Sequence, residues 1–181
     1  PQHVINAIIH HSVKKIDVHA FCFGSGSDDE ELSMYDEIVG DNVNRDNVNL
    51  RSVIFHDGVE EIDDRAFGRC VNLLSVKLPG VRRINMGAFR VCKGLRDVEF
   101  GDKLDTIENY AFYNCFNLRS VTAQSSLRSI EEGAFMNCVS LTDAVFGEAL
   151  DSIECEAFRG CSSLKRIAFP LKDGILNNEY G

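Results

Sequence analysis

No uninterrupted apolar stretch of this 181-residue chain exceeds a few residues, which excludes a bilayer-spanning helix. Positive charge is scarce as well. Nineteen Lys and Arg stand against 28 Asp and Glu, a formal net charge of -9 with pI about 5.0. That balance leaves no sequence-independent grip on nucleic acid or anionic lipid. Cysteine, at seven, is odd in number and too sparse for a disulfide scaffold of this length. The start, PQHVINAIIHHS, lacks a basic region followed by an apolar run and a small-residue cleavage site. A first residue of Pro1 rather than Met suggests a processed protein or a fragment, so the compartment stays open. No Ser/His/Asp or Cys/His set has catalytic spacing, and no glycine-rich phosphate loop precedes a helix. What is present, 44% hydrophobic and 26% charged residues, suits a folded chain.

The hydrophobic residues recur in columns. Ala-Phe pairs occur at Ala66-Phe67, Ala88-Phe89, Ala111-Phe112, Ala134-Phe135 and Ala157-Phe158, with the phenylalanines 22, 23, 23 and 23 apart. Ile62, Ile84, Ile107, Ile130 and Ile153 lie five residues before them, and Val59, Val81, Leu104, Leu127 and Leu150 three residues earlier still. After each phenylalanine come Cys70, Cys92, Cys115, Cys138 and Cys161, then a leucine and a short alternation such as Val76/Leu78. Val13, Ile16 and Ala20-Phe21 repeat one half upstream, whereas Leu50, Val53 and Phe55 repeat the other. The count is six Ala-Phe copies and seven strand segments. The 22-residue copy loses its residue between Leu78 and Val81, where Pro79-Gly80 tightens the corner.

One copy offers about seven apolar side chains, roughly 10–20 kcal/mol gross, against backbone ordering on the order of 1–2 kcal/mol per residue. A lone copy cannot fold; stacked copies share a core and ladder their backbones. The expected fold is a repeat solenoid with short parallel strands and short helical or 3₁₀ turns at Ala-Phe-x-x-Cys. Asp17, Asp63, Asn85, Glu108, Glu131 and Glu154 follow the isoleucines and are expected to cap those turns rather than bind a cation. Another column, Lys14, Glu60, Arg82, Asp105, Arg128 and Asp151, alternates in sign. Stacked about 4.8 Å apart, such neighbours attract and hold register.

The unit C-x-x-L-x-x-[VI]-x-[LF]…[VL]-x-x-I-x-x-x-A-F resembles the BspA-like leucine-rich repeat, over residues 4–21 and 47–170. The resemblance implies a right-handed, curved leucine-rich-repeat solenoid, and surface adhesion or scaffold roles. It brings no catalytic residues. Asn47 in the cysteine column, Ala123 and Ala144 depart from the pattern.

Residues 22–46 interrupt the repeat and carry eight acids against Arg45 alone, so this excursion holds -7 of the net charge. Ser27 with Glu30 forms a capping-box signature for a short helix lined by Leu32, Tyr35, Ile38 and Val39 and ending at Gly40. Asn42, Asn44 and Asp46 lack the glycine and final glutamate of an EF-hand loop. Residues 171–181 form a tail in which Ile175 and Leu176 are placed to cover the last rung.

A row of cysteines cannot converge on zinc as four ligands must, so free thiols filling buried space are expected. Cys22 and Cys155 lie outside the row, and Cys22 is the one expected to be reactive. No catalytic, cofactor or metal residues are assigned. The expected function is a non-enzymatic interaction module that binds a protein partner through exposed strand positions, not nucleic acid and not by membrane insertion. The candidate face is Ile8, His10, Ile54, His56, Lys77, Glu99 and Thr122, with His10 and His56 equivalent on adjacent rungs and placed to stack. The alternative is a spacer segment of a longer repeat protein or a cell-surface adhesin.

Overall fold

A computed structural model describes residues 6–21, 49–123 and 126–176. The helix expected near Ser27–Gly40, Cys22, Asn47 and the last five residues fall outside that range. Thirteen short strands alternate between two parallel sheets. The first sheet takes β1 (Asn6–Ile8), β3 (Ser52–Ile54), β5 (Ser75–Leu78), β7 (Asp97–Phe100), β9 (Ser120–Ala123), β11 (Asp143–Phe146) and β13 (Arg166–Ala168), in that spatial order. The second takes the two-residue strands β2 (Lys15–Ile16), β4 (Glu61–Ile62), β6 (Arg83–Ile84), β8 (Thr106–Ile107), β10 (Ser129–Ile130) and β12 (Ser152–Ile153). The seven strand segments and six isoleucine copies of the sequence are these two sheets.

Each apolar column becomes a row along the core. Phe67, Phe89, Phe112 and Phe135 have no solvent exposure. From Phe21 to Phe158 the rings stack nearly parallel, with centroids 4.8, 5.1, 5.3, 5.3 and 5.4 Å apart. From Ala66 to Ala157 the alanines before them are buried where the third side of each rung approaches the sheets, while Ala20 on the first rung is exposed. Cys92, Cys115, Cys138 and Cys161 donate their thiols to the carbonyls of Phe67, Phe89, Phe112 and Phe135, at 3.1 to 3.3 Å. Burial pushes the Cys115 thiol up to about 12 and Cys161 to about 11, so both stay protonated at neutral pH. All six described cysteines are free, and Cys155 lies half-buried outside the row.

The third side is not helical. Ala88, Arg90 and Cys92 do close local i to i+3 bonds onto Asn85, Gly87 and Phe89. The amides between them, Gly87, Phe89 and Val91, donate instead to Asn109, Ala111 and Tyr113 on the next rung. A helix sends every amide along its own axis, so this alternation replaces the expected helical or 3₁₀ turn with a ladder of linked turns. Reversing alternate amides requires left-handed residues. Two columns supply them, one running through His19, Arg65, Gly87, Tyr110, Gly133 and Glu156. The other is Arg69, Val91, Asn114, Asn137 and Gly160. Each non-glycine member costs roughly 1–2 kcal/mol of local strain, offset at all of them but Glu156 by an inter-rung bond from its amide.

Part of the acidic column caps, and partly across rungs, whereas the Asn85 side-chain oxygen is buried without a hydrogen-bond partner. Asp63 accepts the neighbouring Asp64 amide at 3.0 Å, but Glu108 and Glu131 take the amides of Met86 and Asn109 on the preceding rung. Partial burial, followed by the neighbouring Glu131 carboxylate, holds Glu108 above its ordinary 4.5; partial burial and Glu154 do the same to Glu131. A carboxylate raised in the fold binds protons more tightly folded than unfolded, so its contribution to stability falls as pH rises above that ordinary value. Glu131→Gln, whose amide oxygen still accepts from Asn109, is therefore expected to raise the melting midpoint at neutral pH. Melting curves across pH check this: the gain must fade once the medium is acidic enough to protonate the glutamate in both states.

Candidate functional site

Register places the candidate face on the outer side of the seven-stranded sheet. Ile8 pairs with Ile54, Ile54 with Lys77, and Lys77 with Glu99. Thr122, Val145 and Ala168 continue as a second aligned run, tied to the first where Asp97 meets Ser120. Ile8 is 77% exposed and Ile54 59% exposed, side by side. Asn6 and Ser52 flank them with a 2.7 Å hydrogen bond. Lys77 and Glu99 close an ion pair of 2.6 Å, largely exposed and so worth at most about 1 kcal/mol. At the other end Val145 and Ala168 are half-buried, leaving the exposed apolar pair at the N-terminal end only.

His10 and His56 share this end, but their rings do not stack on each other. His56 Nδ1 accepts the Gly58 amide at 3.0 Å, which turns Nε2 to donate to the His10 carbonyl at 3.0 Å. The His10 ring lies against His11, centroids 4.0 Å apart, with Nδ1 2.8 Å from the Ser12 hydroxyl. The equivalence of the two positions was legible; the ring partners depend on the local turn.

The sign-alternating column occupies one side, each amide bonding the carbonyl of the residue before it in the stack from Glu60 to Asp151. Arg82 meets Glu60 at 3.9 Å, and Arg128 meets Asp105 and Asp151 at 3.4 and 3.5 Å. Lys172 from the tail reaches Asp151 at 3.0 Å and extends the alternation. An open depression of about 580 Å³ lies along this column, but its guanidiniums already face carboxylates. Next to it, Lys15 bridges Glu61 and Asp63 at 3.2 and 2.8 Å, while Asn85 donates to both carboxylates. The Asn85 bond, then Lys15, holds Glu61 below the ordinary carboxylate value; burial opposes the same shift at Asp63, where Lys15 prevails. Among the described residues no group of three or more His, Cys, Asp or Glu is arranged to hold a metal ion.

One column escaped the sequence reading because it lies outside the apolar motif. Arg51, Leu74, Arg96, Arg119, Thr142 and Lys165 each precede a strand of the first sheet. From Leu74 on, the amide of each donates to the carbonyl of the one before, at 2.8 to 3.1 Å. Its signal is a column after the repeat's leucine in which four of six residues are basic.

The tail supplies a last half-turn. Ile175 is buried, its carbonyl accepts the Ile153 amide at 2.7 Å, and Leu176 bridges Ile153. No helix among the described residues is long and apolar enough to cross a membrane.

Comparison with solved structures returns the same architecture. A leucine rich repeat protein of T. pallidum (TpLRR) is 38% identical, with a TM-score of 0.57 over 59% of this chain and 50% of that one. A leucine-rich repeat protein from Bacteroides ovatus is 24% identical, TM-score 0.70, covering 89% of this chain and 36% of that one. One from Eubacterium ventriosum is 22% identical, TM-score 0.68, covering 96% and 41%. At those two identities the likeness concerns the fold alone. The chain thus spans half or less of the length of these structures. No curated protein matches. The family model for the BspA type leucine rich repeat region matches six copies across residues 3–74 and 60–179. The 23-residue columns, the two parallel sheets and this match together place the chain in the BspA-type leucine-rich repeat family.

Proposed function

We propose that this solenoid is a non-enzymatic interaction module that binds a protein partner through the outer face of its seven-stranded sheet. The observation carrying this reading is the pair Ile8 and Ile54, exposed side by side on a sheet whose position is fixed by the rungs around it. Single exposed apolar residues are ordinary, but adjacent ones next to a charged pair make an apolar centre with a polar rim. A rigid platform also loses little conformational entropy on binding. Spare catalytic groups have no part in this reading.

A second reading, a spacer segment within a longer repeat protein, draws on Ile167, 41% exposed on β13, one of the two edge strands of the sheet. Burial of Ile175 against the last rung weighs against it. A pull-down with the folded protein, repeated with Ile54→Asp and with Lys77→Glu, separates the two. The interaction reading expects at least about a tenfold loss of capture with Ile54→Asp, as for a central contact, and a smaller loss with Lys77→Glu. Capture unchanged by both substitutions rejects this face.

A further inference from the structure

The two charged columns obey opposite rules. On one side of the rungs signs alternate and ion pairs close. At the entry to the seven-stranded sheet, Arg51, Arg96, Arg119 and Lys165 are of one sign, all exposed, and make no ion pair with any described residue. The adjoining positions Ser52, Ser75, Asp97, Ser120, Asp143 and Arg166 add one cation and two carboxylates. Asp143 accepts the Thr142 hydroxyl at 2.7 Å. Five cations therefore face two acids on a chain whose net charge is -9. Like charges on neighbouring strands weaken a sheet, so a one-sign column contributes nothing to folding that the alternating column does not do better.

We propose that this basic ladder receives an extended acidic segment of the protein partner; the inference rests on the interaction reading above and supplies the partner's chemistry. Five rung spacings of about 4.8 Å give a strip roughly 24 Å long, matched by about seven residues of extended chain at ~3.4 Å each. Leu74, 44% exposed, interrupts the cations between Arg51 and Arg96, and calls for an apolar side chain near one end of that segment. The same interruption, with Thr142 further on and no aromatic platform in the column, disfavours a uniformly charged nucleic acid or sulfated polysaccharide. Ile54 lies three residues beyond Arg51 at the far end of β3, so the ladder and the apolar pair share one sheet.

The test is fluorescence anisotropy with a labelled peptide of Glu and Asp carrying one leucine near its end. Its Gln/Asn counterpart, single-stranded DNA and heparin serve as competing probes. The acidic peptide is expected to bind most tightly and to weaken as salt rises. Arg96→Glu combined with Arg119→Glu should lower its affinity at least about tenfold, and Arg82→Gln on the paired column should leave it unchanged. If the reversal variant fails to fold, Arg96→Gln with Arg119→Gln is expected to give a smaller loss in the same direction. Binding that ignores both pairs of substitutions, or that favours DNA or heparin, overturns the proposal. So does tighter peptide binding after neutralising Asp28, Asp29, Glu30 and Glu31, which would assign the ladder to the chain's own acidic insertion. Peptide binding that fails while capture remains sensitive to Ile54→Asp sinks the ladder alone; failure of both sinks the interaction reading as well.

Discussion

Replacing Phe112 with alanine is expected to cost about 3–5 kcal/mol, the range for deleting a large buried aromatic. The ring is fully buried, stacks on Phe89 and Phe135 at 5.3 Å each, and receives the edge of Phe100 at 6.0 Å. Its loss leaves a void at mid-stack, where no mobile segment can collapse into it. For a chain of this size that corresponds to a fall in melting midpoint of about 6–20 °C. Because rungs contact only their neighbours, the damage should also divide the molecule. Hydrogen exchange is expected to accelerate first at β7 and β9, while β3 and β13 change less. A midpoint within about 2 °C of the parent would show that the phenylalanine row is not the core's main support.

Gly80→Ala is expected to be disruptive as well, although it adds a single methyl group. A Cβ at this position would lie deep inside van der Waals contact of the Asp57 main-chain carbonyl. The corner after Leu78 is one residue short, and Gly80 meets the preceding rung there much as Gly101 meets the Pro79 carbonyl one rung on. The contact is between a Cβ fixed to the backbone and the Asp57 main chain, so no side-chain rotation relieves it, and overpacking of this kind costs typically about 1–3 kcal/mol. The obstructing atom belongs to the main chain, so Asp57→Ala should not rescue the variant. Rescue by Asp57→Ala, or an unchanged melting midpoint, would contradict the packing described.

The stack was legible because burial acts on columns. Val59, Ile62, Ala66, Phe67 and Cys70 recur in phase since each must fit the side chain above and below it. The sign alternation from Lys14 to Asp151 was readable because stacked opposite charges attract even where exposed, and the ion pairs of Arg128 follow it. Turn geometry was not. His19, Arg65 and Tyr110 take left-handed conformations that only Gly87 and Gly133 announce in sequence, because the requirement comes from an amide partner on another rung. Glu108 was expected to cap its own turn, yet the amide it accepts belongs to the rung before, a relation that spacing within one repeat cannot express. Exposure of Ile8 and Ile54 followed from strand alternation. The Arg51 to Lys165 ladder is polar, so a search keyed to hydrophobic columns passes over it.

The inter-rung hydrogen bonds have a mechanical consequence. In both sheets and along the linked turns they run between successive rungs, in the direction of the stack. Tension applied between β1 and β13 therefore opens them like a zipper, one rung's bonds at a time, instead of shearing a whole strand at once. Each released rung of some 23 residues can lengthen to roughly 75 Å, many times the height it occupied. Under load such a coil yields in steps from its ends and lengthens greatly at modest force, while the rungs still stacked keep their face intact.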